Sequence, residues 1–283
     1  MNEISVFYRV EQVAPVLSAP GARKPRLVVD DWLAHGLPIG ISSFEPARRE
    51  DLVLAHAPAF VDGVLACRVP NGFRTRQHEV ADSLPYTSGS LIAACEHVLT
   101  LGARVACSPT SGFHHSGFDE ARGFCTFNGL MVAALVMRRD GLIPRRLGIL
   151  DCDYHFGDGT QEIIDRLGID WIVHDSLGMQ FPRGSSARDY LAAVRRSAAA
   201  MASCDLVIYQ AGADLHVDDP LGGVLSSRQM RERDDIVFRT FAENRTRVVW
   251  NLAGGYQEEP DGSIPKVLQL HRETMKACVD AYL

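Results

Sequence analysis

Short apolar runs alternate along this chain with longer segments whose apolar residues recur three and four apart. The first pattern predicts strands and the second helices. Strands are predicted over residues 4–8, 103–108, 147–150, 171–174, 205–210 and 247–252. Helices are predicted over 27–35, 88–101, 128–138, 161–167, 187–201, 228–243 and 265–283, with two short ones in 50–66 broken at Pro58. Helix 88–101 is rich in Ala and Leu, with Ser88 or Ser90 as its cap. Helix 128–138 is apolar all round and should be buried, whereas helix 228–243 should keep its arginines on the wet face. Residues 19–26, APGARKPR, read as a Pro/Gly/basic loop. Residues 67–84, polar and carrying the turn pair Asn71-Gly72, read as a surface loop over a binding site.

Strands alternating with helices predict an α/β fold with a parallel sheet covered on both faces. With no repeat or linker in sight, one domain over 1–283 is expected. Sites on such sheets lie beyond the carboxyl ends of the strands. The polar clusters follow the strands at 103–108, 147–150, 171–174, 205–210 and 247–252.

The most informative of these is 147–160, LGILDCDYHFGDGT. Residues two apart in an extended chain share a face, so Asp151, Asp153 and His155 project together from one strand end. Capping of the next helix is the ordinary role of such an Asp. Three ionisable groups beside an apolar run are costly unless compensated, and a divalent cation bound by oxygen and imidazole nitrogen would do so. Asp214, after strand 205–210, could supply a third ligand and leave one position open for water. Alone it would be a turn residue.

His114-His115 sit in a Gly-rich loop after a strand, and an imidazole pair could divide base and acid work. Each needs an orienting partner, for which Asp151 and Asp158 are available. Gly254-Gly255 permit a bent backbone that could aim the Tyr256 phenol at the site. Phe124 and Phe181 adjoin Gly or Pro, and core packing is the default for both.

Composition narrows the alternatives. Hydrophobic residues make up 46% of the 283, enough for a sizeable core. A net charge of −6 gives no electrostatic reason to expect nucleic acid. No apolar run approaches the roughly 20 residues that span a bilayer, and MNEISVFYRVEQ lacks a signal-peptide layout. Seven scattered cysteines without a C-x-x-C pair suggest no disulfide framework, so a cytoplasmic protein is expected.

Together these residues resemble the histone deacetylase and acetylpolyamine amidohydrolase superfamily, on the arginase–deacetylase fold. The matching pieces are PYTSGSLIAA (85–94), GFHHS (112–116), RGFCTFN (122–128), DCDYHFGDGT (151–160), QAGADLHVDDPLGG (210–223) and NLAGGY (251–256). The resemblance implies an eight-stranded parallel sheet flanked by helices, and Zn²⁺ held by Asp153, His155 and Asp214. It implies His115 with Asp158 as general base and acid, His114 with Asp151 as a mainly electrostatic partner, and Tyr256 as donor to the substrate carbonyl. Gly123, Phe124 and Phe181 would contact the substrate, the two rings as tunnel walls. A structural potassium ion near Asp151 and Ser176 is also implied, and Arg26 would match a buried arginine at an inner channel. The implied substrate is an acylated lysine in a peptide or protein, or an acetylated polyamine or small amine. Association as a homo-oligomer is left open.

Three departures from the family pattern bear on the rim. The basic entrance motif is replaced by residues 19–26, Phe156 stands where a second histidine is common, and Ser111-Gly112-Phe113 precedes the His pair. Two other readings are open: a metal-containing binder of acylated ligands without turnover, and a two-manganese ureohydrolase. The full set His114, His115, Asp153, His155, Asp214 and Tyr256 argues against the first, and the GFC and Gly-Gly-Tyr pieces against the second.

Overall fold

The computed structural model describes residues 3–14, 20–143 and 145–283. Its sheet is built from β1 (Ile4–Phe7), β2 (Ile39–Ser42), β3 (Val105–Ser108), β4 (Leu147–Asp151), β5 (Ile172–Ser176), β6 (Leu206–Gly212) and β7 (Val248–Ala253). All neighbours pair in parallel, in the order β2-β1-β3-β7-β6-β4-β5. The four central strands β3, β7, β6 and β4 are buried at every position, and β5 and β2 at the edges are only partly so. Burial on both faces explains why the central strands read as continuous apolar runs rather than alternations.

Nine helices of the described residues cover the sheet: α1 (Pro20–Ala34), α2 (Arg49–Leu52), α3 (Pro58–Leu65), α4 (His78–Thr100), α5 (Gly129–Arg139), α6 (Asp158–Leu167), α7 (Ala187–Met201), α8 (Ser227–Glu243) and α9 (Pro265–Tyr282). Two apolar cores result. One gathers Val28, Trp32, Tyr190, Phe238, Trp250 and Met275, from the α1, α7, α8 and α9 side. The other gathers Phe60, Leu91, Phe127, Met131, Ile149 and Ile163, from the α3, α4, α5 and α6 side. No helix among the described residues is long and apolar enough to cross a membrane.

Several expectations are corrected. The sheet has seven strands among the described residues, one more than the apolar runs predict and one fewer than the resemblance implies. The strand that pattern reading missed is β2, four residues with the edge burial of one exposed flank. Most of the expected loop 19–26 is the first turns of α1; Ala19 lies outside the described residues. Proline at a first helical position forfeits no hydrogen bond, which is why Pro20 can open the helix. Residues 78–84 likewise belong to α4, which runs through Pro85 and starts ten residues before the expected cap Ser88. Ser90 instead binds the Phe7 carbonyl at 2.6 Å and the Ser108 hydroxyl at 2.7 Å, fixing α4 to the sheet. On α8, Arg233 is not on the wet face but wholly buried.

Candidate active site

Because β3, β7, β6 and β4 lie side by side, the segments leaving their carboxyl ends meet. From β4 come Asp153, His155 and Asp158; from β6, Asp214; from β7, Gly254–Tyr256; from β3, the His pair. Where they meet, a cavity of about 280 Å³ is lined by residues that include His114, Gly123, Phe124, Asp153, Leu221 and Tyr256.

Asp153, His155 and Asp214 each offer one ligand atom, and these atoms lie within 4.8 Å of one another. His155 turns a single nitrogen, Nδ1, to both carboxylates, at 3.1 Å from Asp153 Oδ1 and 3.1 Å from Asp214 Oδ2. One N–H cannot serve two acceptors fully, whereas a cation placed among the three satisfies all of them. Both carboxylates are buried. Burial, followed by the charge of Asp153, pushes Asp214 up to about 7. Asp153 is moved the other way: burial opposes its charge, but His114 and His155 outweigh it and hold its pKa down. Two buried carboxylates of which one is driven toward its protonated form are a site short of positive charge. The donor set, two carboxylates and an imidazole, fits zinc with a coordination position left open. Main-chain donors fix the ligands from behind: His155 N on Asp153 Oδ1 at 2.9 Å, and Tyr154 N on Asp214 Oδ1 at 3.1 Å.

The two histidines stand side by side, ring centroids 4.0 Å apart, and His115 lies 5.8 Å from the His155 ring. His114 Nδ1 is 2.8 Å from Asp151 Oδ2, and both residues are buried. Burial alone would lower the His114 pKa; the charges of Asp151 and Asp153 outweigh it and hold it at about 9. His115 Nδ1 is 2.6 Å from Asp158 Oδ1, and Arg122 supports the pair with Nε 2.8 Å from the His115 carbonyl and 3.3 Å from Asp158 Oδ2. Asn128 caps α5 and reaches the Ser116 carbonyl and Thr160 hydroxyl, so the histidine loop is anchored to two helices. Gly123 has φ +56, and a β-carbon there would come 2.5 Å from His115 Cδ2. Gly254 is more constrained: it has φ +49, and a β-carbon would collide with the Asp214 carboxylate.

Tyr256 follows that turn. Its N–H donates to Asp219 Oδ2 at 2.7 Å, and burial, then the charges of Asp153 and Asp214, keep its phenol protonated. Its ring is 5.9 Å from that of Phe124. Phe181 does not line this cavity; it packs edge-on against buried Tyr190 of α7, centroids 5.2 Å apart. The aromatic facing Phe124 across the wall is Phe73, at 6.2 Å, from the loop before α4. Ser176 Oγ lies 3.3 Å from Asp151 Oδ2 and accepts from Gly157 N at 2.9 Å. Asp151 is also met by Gln210 Nε2 at 3.0 Å and Asp153 N at 3.1 Å.

Arg26 is not the buried cation expected. It is exposed and pairs with Asp30, while Lys24 is buried and donates to the Gly254 carbonyl. Helical period explains the exchange: Lys24, Val28 and Trp32 form the inward stripe of α1. Burial lowers Lys24 to about 8, against the pull of Asp214 and Asp153.

Metal-stripped protein should therefore show a definite pH response. His155, raised to about 10 by its bonds to Asp153 and Asp214, and His114 at about 9 hold protons that the unfolded chain releases near 6.5. Their contribution is complete below about 6.5 and is lost as pH rises through those values. Lys24 opposes them only above about 8, as one group against two. The stripped protein is expected to melt at progressively lower temperature from pH 7 to 9. A midpoint that is flat or rises there contradicts the assignment.

A family model described as the histone deacetylase domain matches residues 9–170 and 164–269. An uncharacterized protein of Picosynechococcus sp. is 27% identical over 300 residues, covering 94% of this chain and 97% of that protein. Acetylpolyamine amidohydrolase 1 of Pseudomonas aeruginosa is 37% identical over 84 residues, which cover 29% of this chain and 23% of that protein. The crystal structure of the HDA15 HD domain superposes with a TM-score of 0.80 at 19% identity, covering 99% of this chain and 90% of that one. This last likeness is one of fold.

Proposed function

The chain belongs to the histone deacetylase domain family, and from that premise we propose that it is a zinc-dependent amidohydrolase removing an acetyl or other short acyl group from an acylated lysine or amine. The observation that carries the reading is the convergence of Asp153, His155 and Asp214 on one point beside two His-Asp pairs and a tyrosine. Zinc held by those three residues would polarise the acyl carbonyl and bring the pKa of a water toward about 7.

The chain's own groups divide the remaining work. His115, with Nδ1 committed to Asp158, keeps Nε2 for taking a proton from water and passing it to the departing amine. His114, bonded through Nδ1 to Asp151, is the mainly electrostatic partner beside the developing oxyanion. Tyr256 donates its phenolic hydrogen to the carbonyl oxygen, a role suited to a phenol held in its neutral form. Phe124, with Phe73 beside it, shields an extended acyl-bearing chain from solvent. Asp151 and Ser176 would lie at the edge of a potassium site that stiffens the strand tips.

The test is turnover of acyl-lysine peptides and acylated polyamines, with and without chelator. Hydrolysis of one class, abolished by chelation and restored by zinc, is expected. Stoichiometric binding without hydrolysis of either class would overturn the enzymatic reading. In the same assay Tyr256→Phe should retain metal and lose on the order of a hundredfold in rate. Unchanged turnover would remove Tyr256 from the mechanism.

A further inference from the structure

Arg233 sits on α8, below the site, with no exposed surface. A buried guanidinium is costly unless its charge is paired and its donors met, and an apolar side chain would fill the same space at lower cost. Its charge is paired with Asp234: Nε donates to Oδ1 at 2.9 Å, and Nη2 lies 2.8 Å from the same oxygen as an ion-pair contact without hydrogen-bond geometry. Asp234 is in turn held from two elements, accepting from the Tyr209 hydroxyl on β6 at 2.5 Å and the Thr274 hydroxyl on α9 at 2.6 Å.

Nη1 faces two main-chain carbonyls, Gly212 O at 2.5 Å and Cys152 O at 3.4 Å. Cys152 immediately precedes Asp153, and Gly212 stands two residues before Asp214. The two segments nearly touch here: a β-carbon on Gly212 would come 2.5 Å from Asp153 Cα. One guanidinium thus spans the two strand tips that carry the carboxylates of the cation site.

We infer that Arg233, oriented by Asp234, is a positioning residue that sets the separation of Asp153 and Asp214. The inference rests on the reading of those two residues as metal ligands. Lysine in this place keeps the charge against Asp234, but its compact ammonium lacks the planar fork that grips Asp234 and two carbonyls at once.

The test is titration of metal-stripped protein with Co²⁺, followed through its visible absorption bands, with thermal melting measured in parallel. Arg233→Lys is expected to weaken Co²⁺ binding by about 10–100-fold and to shift the bands. Thr274→Val, which frees one side of Asp234 and touches neither carbonyl, should weaken binding by a smaller factor in the same direction. A merely structural arginine predicts the opposite: lower melting temperature with unchanged affinity and bands, and that result overturns the inference. If Arg233→Lys does not fold, unchanged affinity in Thr274→Val overturns it instead. Wild-type protein that takes up no cobalt overturns the ligand reading, and this inference with it. Normal uptake by the wild type with normal uptake by both variants overturns this inference alone.

Discussion

His115→Ala is expected to cut turnover by about 10²–10⁴-fold while leaving fold and metal content intact. The ring is held between Asp158 and the Arg122-supported loop, so its removal takes away the group placed to carry the proton. His114, one residue away, cannot substitute. Its Nδ1 is bound to Asp151 and its ring is buried, whereas the His115 ring is partly exposed. Turnover of an acyl-lysine peptide, normalised to bound metal, checks this. Full activity would break the assignment of His115 as base.

The site was legible because its residues fall in segments directly after buried strands, where polarity interrupts an apolar run. β4 ends at Asp151, and Asp153 and His155 follow on a bend in which the His155 N–H donates to Asp153 Oδ1, so the turn rather than strand alternation brings them together; the His pair follows from its place after β3. What pattern reading missed depends on tertiary packing or on where a helix begins. Lys24 was hidden by reading α1 to begin at Leu27, although its spacing to Val28 and Trp32 carries the helical period. Phe73 reaches the cavity because Gly72 presses against the Cys125 backbone, a long-range contact with no local signature. Asp219, which orients the Tyr256 turn, stands in a run of polar residues that gives no sign of its burial. Arg233 and Asp234 lie among charged neighbours on an amphipathic helix and differ from them only in facing inward. Phe181 shows the converse error: a ring adjoining proline is drawn to Tyr190 rather than to the cavity.

Asp214→Asn should have the second large effect. It keeps the shape of the side chain and removes one of the two charges that define the site. Loss of the cation forfeits several kcal/mol of transition-state stabilisation, on the order of a thousandfold in rate. Stability should respond differently. In the stripped protein burial and Asp153 raise the Asp214 carboxyl to about 7, so its ionisation at pH 8 opposes folding by more than its bond to His155 returns. The variant is expected to melt no lower than stripped wild type at pH 8, while lacking both metal and turnover. A variant that binds metal normally and turns over substrate would remove Asp214 from the ligand set.

The decisive measurement is the metal content of the purified protein, by elemental analysis against chain concentration, before and after substitution of Asp153, His155 or Asp214. One zinc ion per chain, lost from each of the three variants, is the expected result. Two manganese ions per chain, or zinc undiminished by all three substitutions, would contradict the account.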